Sequence, residues 1–291
     1  MTSISPAHLR AWLEWYAAMG VVEPIGEHPI DRLQPVPADP GQRDGPSRGS
    51  DDVPPGQVRA APAAPRAPAQ PMLLRSAGSA ADSAREIAAA CHDLAALEVA
   101  VAGFDGCALR ETALNLCFAD GSPDAEIMLI GEAPGAEEDR LGKPFVGQSG
   151  KLLDKMLATI GLARQSVYIT NVIYWRPPGN RSPTQAEIAA CQPFLERQIE
   201  LLRPKVIVFL GGISARGLLG VKEGVTKLRG RRFVYTAGDG TRIPAMVTFH
   251  PAFLLRQPAQ KRFAWRDLLT LRQWLNEERE ARPGLRSVNR D

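Results

Sequence analysis

Short apolar runs alternate with longer helical stretches along the second half of the chain. Apolar runs of strand length lie at residues 126–130, 167–170, 205–210 and 245–248. Helical patterns lie at residues 149–160, 184–202, 213–219 and 260–278. Strands that alternate with helices form a parallel sheet covered on both faces. We therefore predict an α/β fold with three layers, α/β/α, around a central, mainly parallel, four-stranded sheet.

The first part of the chain has a different composition. Within residues 1–33, apolar side chains recur at the spacing of one short amphipathic helix: Leu9, Trp12, Leu13, Tyr16 and Met19. Residues 34–78 are rich in Pro, Ala and Gly, and ten of the 25 prolines lie there. Because so little apolar surface cannot offset the entropy lost on ordering, we predict a disordered linker. The helix before it either packs on the main domain or binds a protein partner.

The linker leads to a predicted domain at residues 79–279, which begins with an Ala-rich helix at 79–102, and a flexible basic tail follows at 280–291. The sequence has no apolar run of about 18 residues and no secretory leader pattern. Its four cysteines include no C-x-x-C pair, which favours reduced thiols over a disulfide framework. We expect a cytoplasmic monomer without a membrane span.

Positive charge is concentrated in the last third of the chain. Up to Leu202 there are 17 basic and 25 acidic residues, and after it 18 basic and 7 acidic residues, so the two parts carry net charges of −8 and +11. This asymmetry predicts a polyanion-binding surface that includes Arg229, Arg231, Arg232, Arg256, Lys261, Arg262 and Arg266. A solvated basic face without a ligand is the alternative.

Polar segments follow three of the predicted strands at the point where each strand ends. The segment Gly-Glu-Ala-Pro-Gly at 131–135 follows the first strand, Asn171 the second and His250 the last. Ligands of parallel sheets bind beyond the carboxyl ends of the strands, so these segments should meet in one cleft. Taken singly, each has a structural explanation, as a tight turn, a capping residue or a histidine satisfied within the fold.

Three longer segments contain these residues: GEAPGAEEDRLGKPFVGQSGKLLD at 131–154, YITNVIYWRPPGNRSPTQAEIAAC at 168–191 and FHPAFLLR at 249–256. Together they resemble the motifs of the family 4 uracil-DNA glycosylases over about residues 104–275. The resemblance implies an enzyme of base excision repair that flips uracil out of DNA and hydrolyses its N-glycosidic bond to leave an abasic site. It implies catalysis by Glu132 and His250, with uracil stacked on Phe145 and read by Asn171.

The chemistry of the reaction independently requires such side chains. Bond cleavage leaves an oxocarbenium-like sugar and puts negative charge on uracil, so Glu132 can stabilise the sugar and activate water. A neutral His250 can donate a hydrogen bond to the departing base. The amide of Asn171 can pair with uracil O4 and N3–H together, a pattern that cytosine lacks. Gly131, Ala133 and Phe145 complete the predicted base-binding site.

Enzymes that act on a base in DNA extrude it from the stack. We predict that Leu254 and Leu255 brace the opened step, with a core-facing helical turn as the alternative. Arg256, together with Arg176 and Arg181 from the loop RPPGNR, is predicted to bind phosphates on either side.

The chain departs from the family at the iron–sulfur ligands. Family 4 members bind a four-iron, four-sulfur cluster through four cysteines, and the matching positions here are Phe104, Cys107, Trp175 and Cys191. Because a cubane cluster is held by four thiolates, we predict that this protein has no metal or other cofactor. The large side chains of Phe104 and Trp175 are expected to fill the space.

Two other functions remain open. A non-catalytic DNA-binding module of a repair or polymerase assembly needs only the basic surface. A related glycosylase would remove another deaminated base, such as hypoxanthine or xanthine. The joint presence of Glu132, Asn171 and His250 favours catalysis on uracil.

Overall fold

The computed structural model describes residues 77–280. Its strands are β1 (Asp120–Gly121), β2 (Ile127–Gly131), β3 (Tyr168–Asn171), β4 (Val206–Leu210), β5 (Arg232–Thr236) and β6 (Arg242–Thr248). Its α-helices are α1 (Ala77–Ala89), α2 (Leu94–Gly103), α3 (Ala136–Leu141), α4 (Gln148–Thr159), α5 (Gln185–Leu202), α6 (Gly212–Leu219), α7 (Val225–Leu228), α8 (Pro251–Arg256) and α9 (Lys261–Glu280). The predicted N-terminal helix, the linker up to residue 76 and the tail after residue 280 lie outside the described residues.

The strands form one sheet in the order β1-β3-β2-β4-β6-β5. The four central strands run parallel to one another and are the four that the sequence predicts. The edge strands β1 and β5 are antiparallel to their neighbours. The α/β fold class is therefore confirmed, but the sheet has six strands rather than four. The prediction missed the edges because β1 has only two residues, and the apolar run of β5 is only three residues long, Phe233 to Tyr235.

Side chains of the central strands alternate between two hydrophobic cores, one on each face of the sheet. In β2, Met128 and Ile130 belong to the core that includes α1, α2 and α5, whereas Ile127 and Leu129 belong to the core that includes α4 and α9. Every residue of β2 is buried, as expected for a parallel strand covered on both faces. The three-layer arrangement is thus confirmed. No helix within residues 77–280 is long and apolar enough to cross a membrane.

The single helix predicted at residues 79–102 is in fact two helices. α1 ends at Ala89, and α2 begins after Asp93, whose side chain accepts a hydrogen bond from the backbone N–H of Ala96 at 2.7 Å. A carboxylate at this N-cap position stabilises a new helix start instead of continuation of the previous helix. Arg197 of α5 binds the turn between them, because two of its N–H groups donate to the carbonyl oxygen of Cys91 at 2.9 and 3.1 Å.

Candidate active site

The carboxyl ends of β2, β3 and β6 open into one cleft with a volume of about 510 Å³. The residues predicted for catalysis and base reading line it together: Glu132, Phe145, Asn171 and His250. Backbone hydrogen bonds hold the chain after β3 beside the chain after β2. The N–H of Val172 donates to the carbonyl of Gly131, and the N–H of Ile173 donates to that of Glu132, both at 3.1 Å. The parallel sheet therefore brings the three separate motifs to one place.

Asn171 is the last residue of β3, and only 1% of its surface is exposed. Neither Oδ1 nor Nδ2 has a hydrogen-bond partner, and within residues 77–280 no other buried side-chain nitrogen or oxygen is left unpaired. Leaving a buried polar atom unpaired costs roughly 1–3 kcal/mol, so such atoms call for an explanation. Because Asn171 lines the cleft, its amide indicates a ligand that presents an acceptor and a donor side by side.

The Phe145 ring lies beside the His250 ring, with centroids 5.4 Å apart and planes inclined by 34°. It also packs closely against Gly131, where an added Cβ atom would lie 2.5 Å from Cζ of Phe145 and 2.3 Å from Oδ1 of Asn171. Glycine is therefore required at this position for the ring and the amide to approach the end of β2. Ala133 lines the cleft as predicted, whereas Gly131 does not line it.

His250 is the N-cap residue of α8, and its Nδ1 accepts a hydrogen bond from the backbone N–H of Ala252 at 3.1 Å. An imidazole nitrogen that accepts a hydrogen bond carries no proton, so the neutral ring has its proton on Nε2. Burial of the ring, together with the positive charge of Arg256, lowers the pKa of His250 to about 4. His250 is therefore a neutral N–H donor at physiological pH.

Glu132 directly follows β2 and is partly buried. Burial raises the pKa of its carboxyl above the ordinary value, while the neighbouring Ser182 hydroxyl and the positive charge of Arg256 act in the opposite direction. A carboxylate with a raised pKa is a better proton acceptor, as activation of a water molecule requires. The cleft thus combines a carboxylate base with a neutral imidazole donor.

The arginines predicted to bind DNA differ in their positions. Arg181 and Arg256 are exposed and line the cleft. Arg181 is held by two hydrogen bonds to the Glu187 carboxylate, at 2.7 and 2.9 Å. Arg176 does not line the cleft, and its Nε donates to Oδ1 of Asn180 at 2.7 Å. Arg181 and Arg256 are thus the better-placed candidates for phosphate contacts beside the cleft.

The two leucines predicted to brace the opened DNA lie on different faces of α8. Leu255 is 43% exposed, whereas Leu254 is 1% exposed and belongs to the core formed with α4 and α9. The prediction that Leu254 contacts DNA is therefore wrong, because successive residues of a helix point about 100° apart and one of the pair must face inward. Leu255 remains the candidate wedge.

Arg229 is not part of an open basic surface, although the charge pattern placed it there. Its guanidinium donates to the buried carboxylate of Asp267 at 2.5 and 3.1 Å and to the carbonyl of Phe263 at 2.5 Å. The same carboxylate accepts a hydrogen bond from the hydroxyl of Thr248, the last residue of β6, at 2.7 Å. Arg229 therefore stabilises the end of β6 and is not free to bind phosphate.

Glu138 and Ser182 are among the cleft-lining residues that sequence reasoning overlooked. Glu138 stands three residues after Gly135, which is the spacing of a helix capping box and was a usable signal. Ser182 lies inside the RPPGNRSPT segment, but only the fold brings its hydroxyl to the carboxyl of Glu132. No local pattern identifies that pairing.

The cysteine positions do not fit a four-thiolate cluster. Cys107 and Cys191 are buried, and the neighbouring Cys191 thiol lowers the pKa of Cys107. Phe104 and Trp175 are buried as well, and Phe104 packs edge-on against Phe194 of α5, with ring centroids 4.9 Å apart. Within the described part of the chain, no three His, Cys, Asp or Glu side chains are grouped so that they could hold a metal ion. Aromatic side chains thus occupy two of the four ligand positions.

Comparison with known proteins agrees with this geometry. A family model described as "Uracil DNA glycosylase superfamily" matches residues 118–269, slightly more than half of the chain. A type-4 uracil-DNA glycosylase of Sulfurisphaera tokodaii is 41% identical over 172 residues, which cover 57% of this chain and 78% of the relative. One of Archaeoglobus fulgidus is 43% identical over 157 residues, 52% of this chain and 78% of the relative. A type-4 uracil-DNA glycosylase of Pyrobaculum aerophilum is 38% identical over 187 residues, which cover 60% of this chain and 91% of the relative. The chain belongs to the uracil-DNA glycosylase superfamily and resembles its type-4 members.

Proposed function

We propose that this protein is a uracil-DNA glycosylase, which flips uracil out of DNA and hydrolyses the N-glycosidic bond to leave an abasic site. The observation that carries this proposal is the buried Asn171 amide, whose donor and acceptor both lack partners within a cleft that also contains Glu132, Phe145 and His250. The similar proteins named type-4 uracil-DNA glycosylase support the same function.

Base selection is assigned to Asn171. Its Nδ2 donates to uracil O4 and its Oδ1 accepts from uracil N3–H, so uracil satisfies both unpaired atoms at once. Cytosine presents a donor and an acceptor in the reverse arrangement and leaves them unmatched, which disfavours its binding. Phe145 provides a flat ring on which the extruded base stacks, an interaction worth roughly 1–3 kcal/mol.

Catalysis is assigned to Glu132 and His250. As the bond between uracil N1 and the sugar C1′ breaks, the electron pair moves onto the uracil ring and positive charge develops on the sugar. The Glu132 carboxylate stabilises that positive charge and accepts a proton from the water that attacks C1′. The Nε2–H of His250 donates to the uracil anion, and a donor of this kind typically contributes about 3 kcal/mol to the transition state. Water is the nucleophile, so the enzyme is monofunctional.

DNA is held around the cleft by Arg181 and Arg256, and Leu255 fills the step from which the base is extruded. Arg176, at the other end of the loop that carries Arg181, contributes a further phosphate contact. No cofactor takes part in this scheme, because two thiols do not satisfy a cubane cluster. A monomeric state, a cytoplasmic location and a protein partner for the helix within residues 1–33 remain predictions from the sequence.

Excision assays on the full chain test this function. Single-stranded and duplex oligonucleotides with one uracil, hypoxanthine or xanthine are incubated with excess protein, and abasic sites are revealed by strand cleavage in alkali. We expect excision of uracil by the parental protein and much slower excision by Glu132→Gln. Excision of hypoxanthine or xanthine without excision of uracil would show that the substrate is a different deaminated base. Binding of every oligonucleotide without excision of any base would identify a DNA-binding module instead.

A further inference from the structure

Phe145 has a left-handed backbone conformation, which is unusual for a large buried side chain. Its φ angle is +55°, and within residues 77–280 only two other non-glycine residues, Asn180 and Arg203, have a positive φ. Asparagine tolerates this conformation, and Arg203 is the C-cap residue directly after α5. Strained residues of this kind persist only where their surroundings enforce them, and they are concentrated at functional sites. The surroundings of Phe145 are therefore informative.

A guanidinium binds the carbonyl groups of this bend. Nη2 of Arg164 donates to the carbonyl oxygen of Phe145, and Nη1 donates to that of Pro144 at 3.3 Å. Arg164 is itself fixed by ion pairs with Asp120 at 2.7 Å and Asp154 at 2.9 Å. Its side chain is 18% exposed and does not line the cleft. Arg164 therefore acts on the backbone of Phe145 from behind the cleft wall.

A carboxylate binds the amide groups that follow the bend. Oε1 of Glu138 accepts hydrogen bonds from the backbone N–H groups of Val146 and Gly147, at 3.0 and 2.8 Å. Its Oε2 accepts from the N–H of Gly135 at 3.1 Å. Because Gly135 closes the turn after β2, Glu138 joins that turn to the bend that carries Phe145. The carbonyls of the bend thus face a cation and its amides face an anion.

Helix α4 confines the bend from a third side. A Cβ atom added at Gly150 would lie 1.7 Å from the carbonyl oxygen of Phe145, so only glycine allows the helix to start this close. The bend cannot relax toward α4, and the two charged side chains hold it on its other sides.

We propose that Arg164 and Glu138 are positioning residues, which hold Phe145 in its left-handed conformation and so set the angle at which its ring meets the flipped base. The inference rests on the proposed function, in which Phe145 stacks on uracil. Arg164 contacts neither the base nor the reacting atoms in this scheme, so we expect its effect on excision to pass through Phe145.

Arg164→Lys tests the inference, because lysine keeps the positive charge but loses the planar fork that binds two carbonyls and two carboxylates together. We expect single-turnover excision of uracil to slow by about tenfold or more. The same substitution at Arg197 is the matched control, since Arg197 also donates to a backbone carbonyl and pairs with Glu200 at 2.9 Å, but lies away from the cleft. Arg197→Lys should excise uracil at the parental rate.

A double-mutant cycle separates positioning from general stability. In a Phe145→Ala background, Arg164→Lys should slow excision by less than about twofold, because the ring through which it acts is gone. In a Leu255→Ala background, Arg164→Lys should keep its full effect, because Leu255 does not line the cleft that contains Phe145. Thermal unfolding of every variant shows which of them remain folded at the assay temperature. Should Arg164→Lys fail to fold, Glu138→Gln enters the same cycle with the same expected non-additivity.

An equal effect of Arg164→Lys with and without the Phe145 ring would overturn the inference and leave the glycosylase function standing. An unchanged rate in Phe145→Ala would do the same. An inactive parental protein would remove the proposed function and this inference together.

Discussion

The Nδ1 atom of His250 accepts a hydrogen bond from the backbone nitrogen of Ala252 at 3.1 Å, which leaves Nε2 as the nitrogen that carries the proton. Protonation of Nδ1 would break this bond and add a charge to a partly buried ring beside Arg256, in agreement with a pKa of about 4. His250 therefore stays neutral well below physiological pH. As the pH is lowered, another group of the cleft is protonated before His250.

We predict that the fall of uracil excision at acid pH is set by Glu132. Its pKa is raised by burial, so the reactive carboxylate is present at high pH and is lost as the pH falls through that raised value. Single-turnover rates measured between about pH 8 and 4 should fall as the pH is lowered, both in the parental protein and in His250→Gln. The His250→Gln variant should be slower than the parental protein at every pH. Glu132→Gln should be slow and nearly independent of pH. An acid limb that disappears in His250→Gln would contradict this assignment.

Asn171→Asp should keep the fold and lower uracil excision by at least tenfold. A carboxylate places an acceptor where uracil O4 needs a donor, and the resulting unpaired contact costs on the order of 1–3 kcal/mol. Weak cytosine excision is expected to appear, since cytosine presents an amino donor at that position. Single-turnover assays on uracil and cytosine measure both changes. The control is Asn115→Asp, whose amide binds the carbonyl of Asp139 at 2.7 Å outside the cleft and should leave both rates unchanged.

Leu254→Ala and Leu255→Ala should have opposite consequences. Leu254 is buried in the core, so its truncation should cost about 2–5 kcal/mol of stability. Leu255 is exposed, so its truncation should change stability by less than about 0.5 kcal/mol. Only Leu255→Ala should slow excision from duplex DNA more than from single strands, because only a duplex has a stack to brace. Urea unfolding and paired excision assays provide the measurements, and equal slowing on both substrates would exclude a wedge role.

Arg256→Ala should weaken binding to uracil-containing and undamaged DNA alike. Each lost phosphate contact lowers the slope of log affinity against log salt by about one. Arg242 is the matched control, because it starts β6 at the end of the strand opposite the cleft. Titration of labelled duplex at several salt concentrations should show a smaller slope for Arg256→Ala and an unchanged slope for Arg242→Ala. If Arg256→Ala shows the same salt slope as the parental protein, Arg256 does not contact a phosphate.

Purified protein should be colourless and contain far less than one iron per chain. Two of the four ligand positions are cysteines, Cys107 and Cys191. The other two are occupied by the buried aromatic residues Phe104 and Trp175. Iron analysis and the visible absorption spectrum measure this directly. The double variant Phe104→Cys, Trp175→Cys, reconstituted with iron and sulfide, provides the positive control for the assay. About four irons per chain in the parental protein would refute the prediction.

The parallel sheet explains why part of the site was predictable. Asn171 and His250 follow buried apolar runs, and strands of this type bring the residues after them to one edge, whatever the intervening chain does. The pairing of Arg229 with Asp267, 38 residues apart, left no local signal, so the charge pattern assigned Arg229 to the wrong surface. Leu254 was misassigned because six residues of helix are too short for periodicity to show which side faces inward.

The aromatic packing at Phe104 bears on how this part of the domain folds and stays folded. Where a cluster joins a loop to a helix, that part of the fold depends on metal delivery and is lost when oxidants dismantle the cluster. Here the ring of Phe104 packs directly against the ring of Phe194 in α5. Such a hydrophobic contact forms without proteins that deliver iron and sulfide. Because we propose that no cluster is bound, we expect the domain to stay folded in the presence of an iron chelator, with an unchanged midpoint of thermal unfolding.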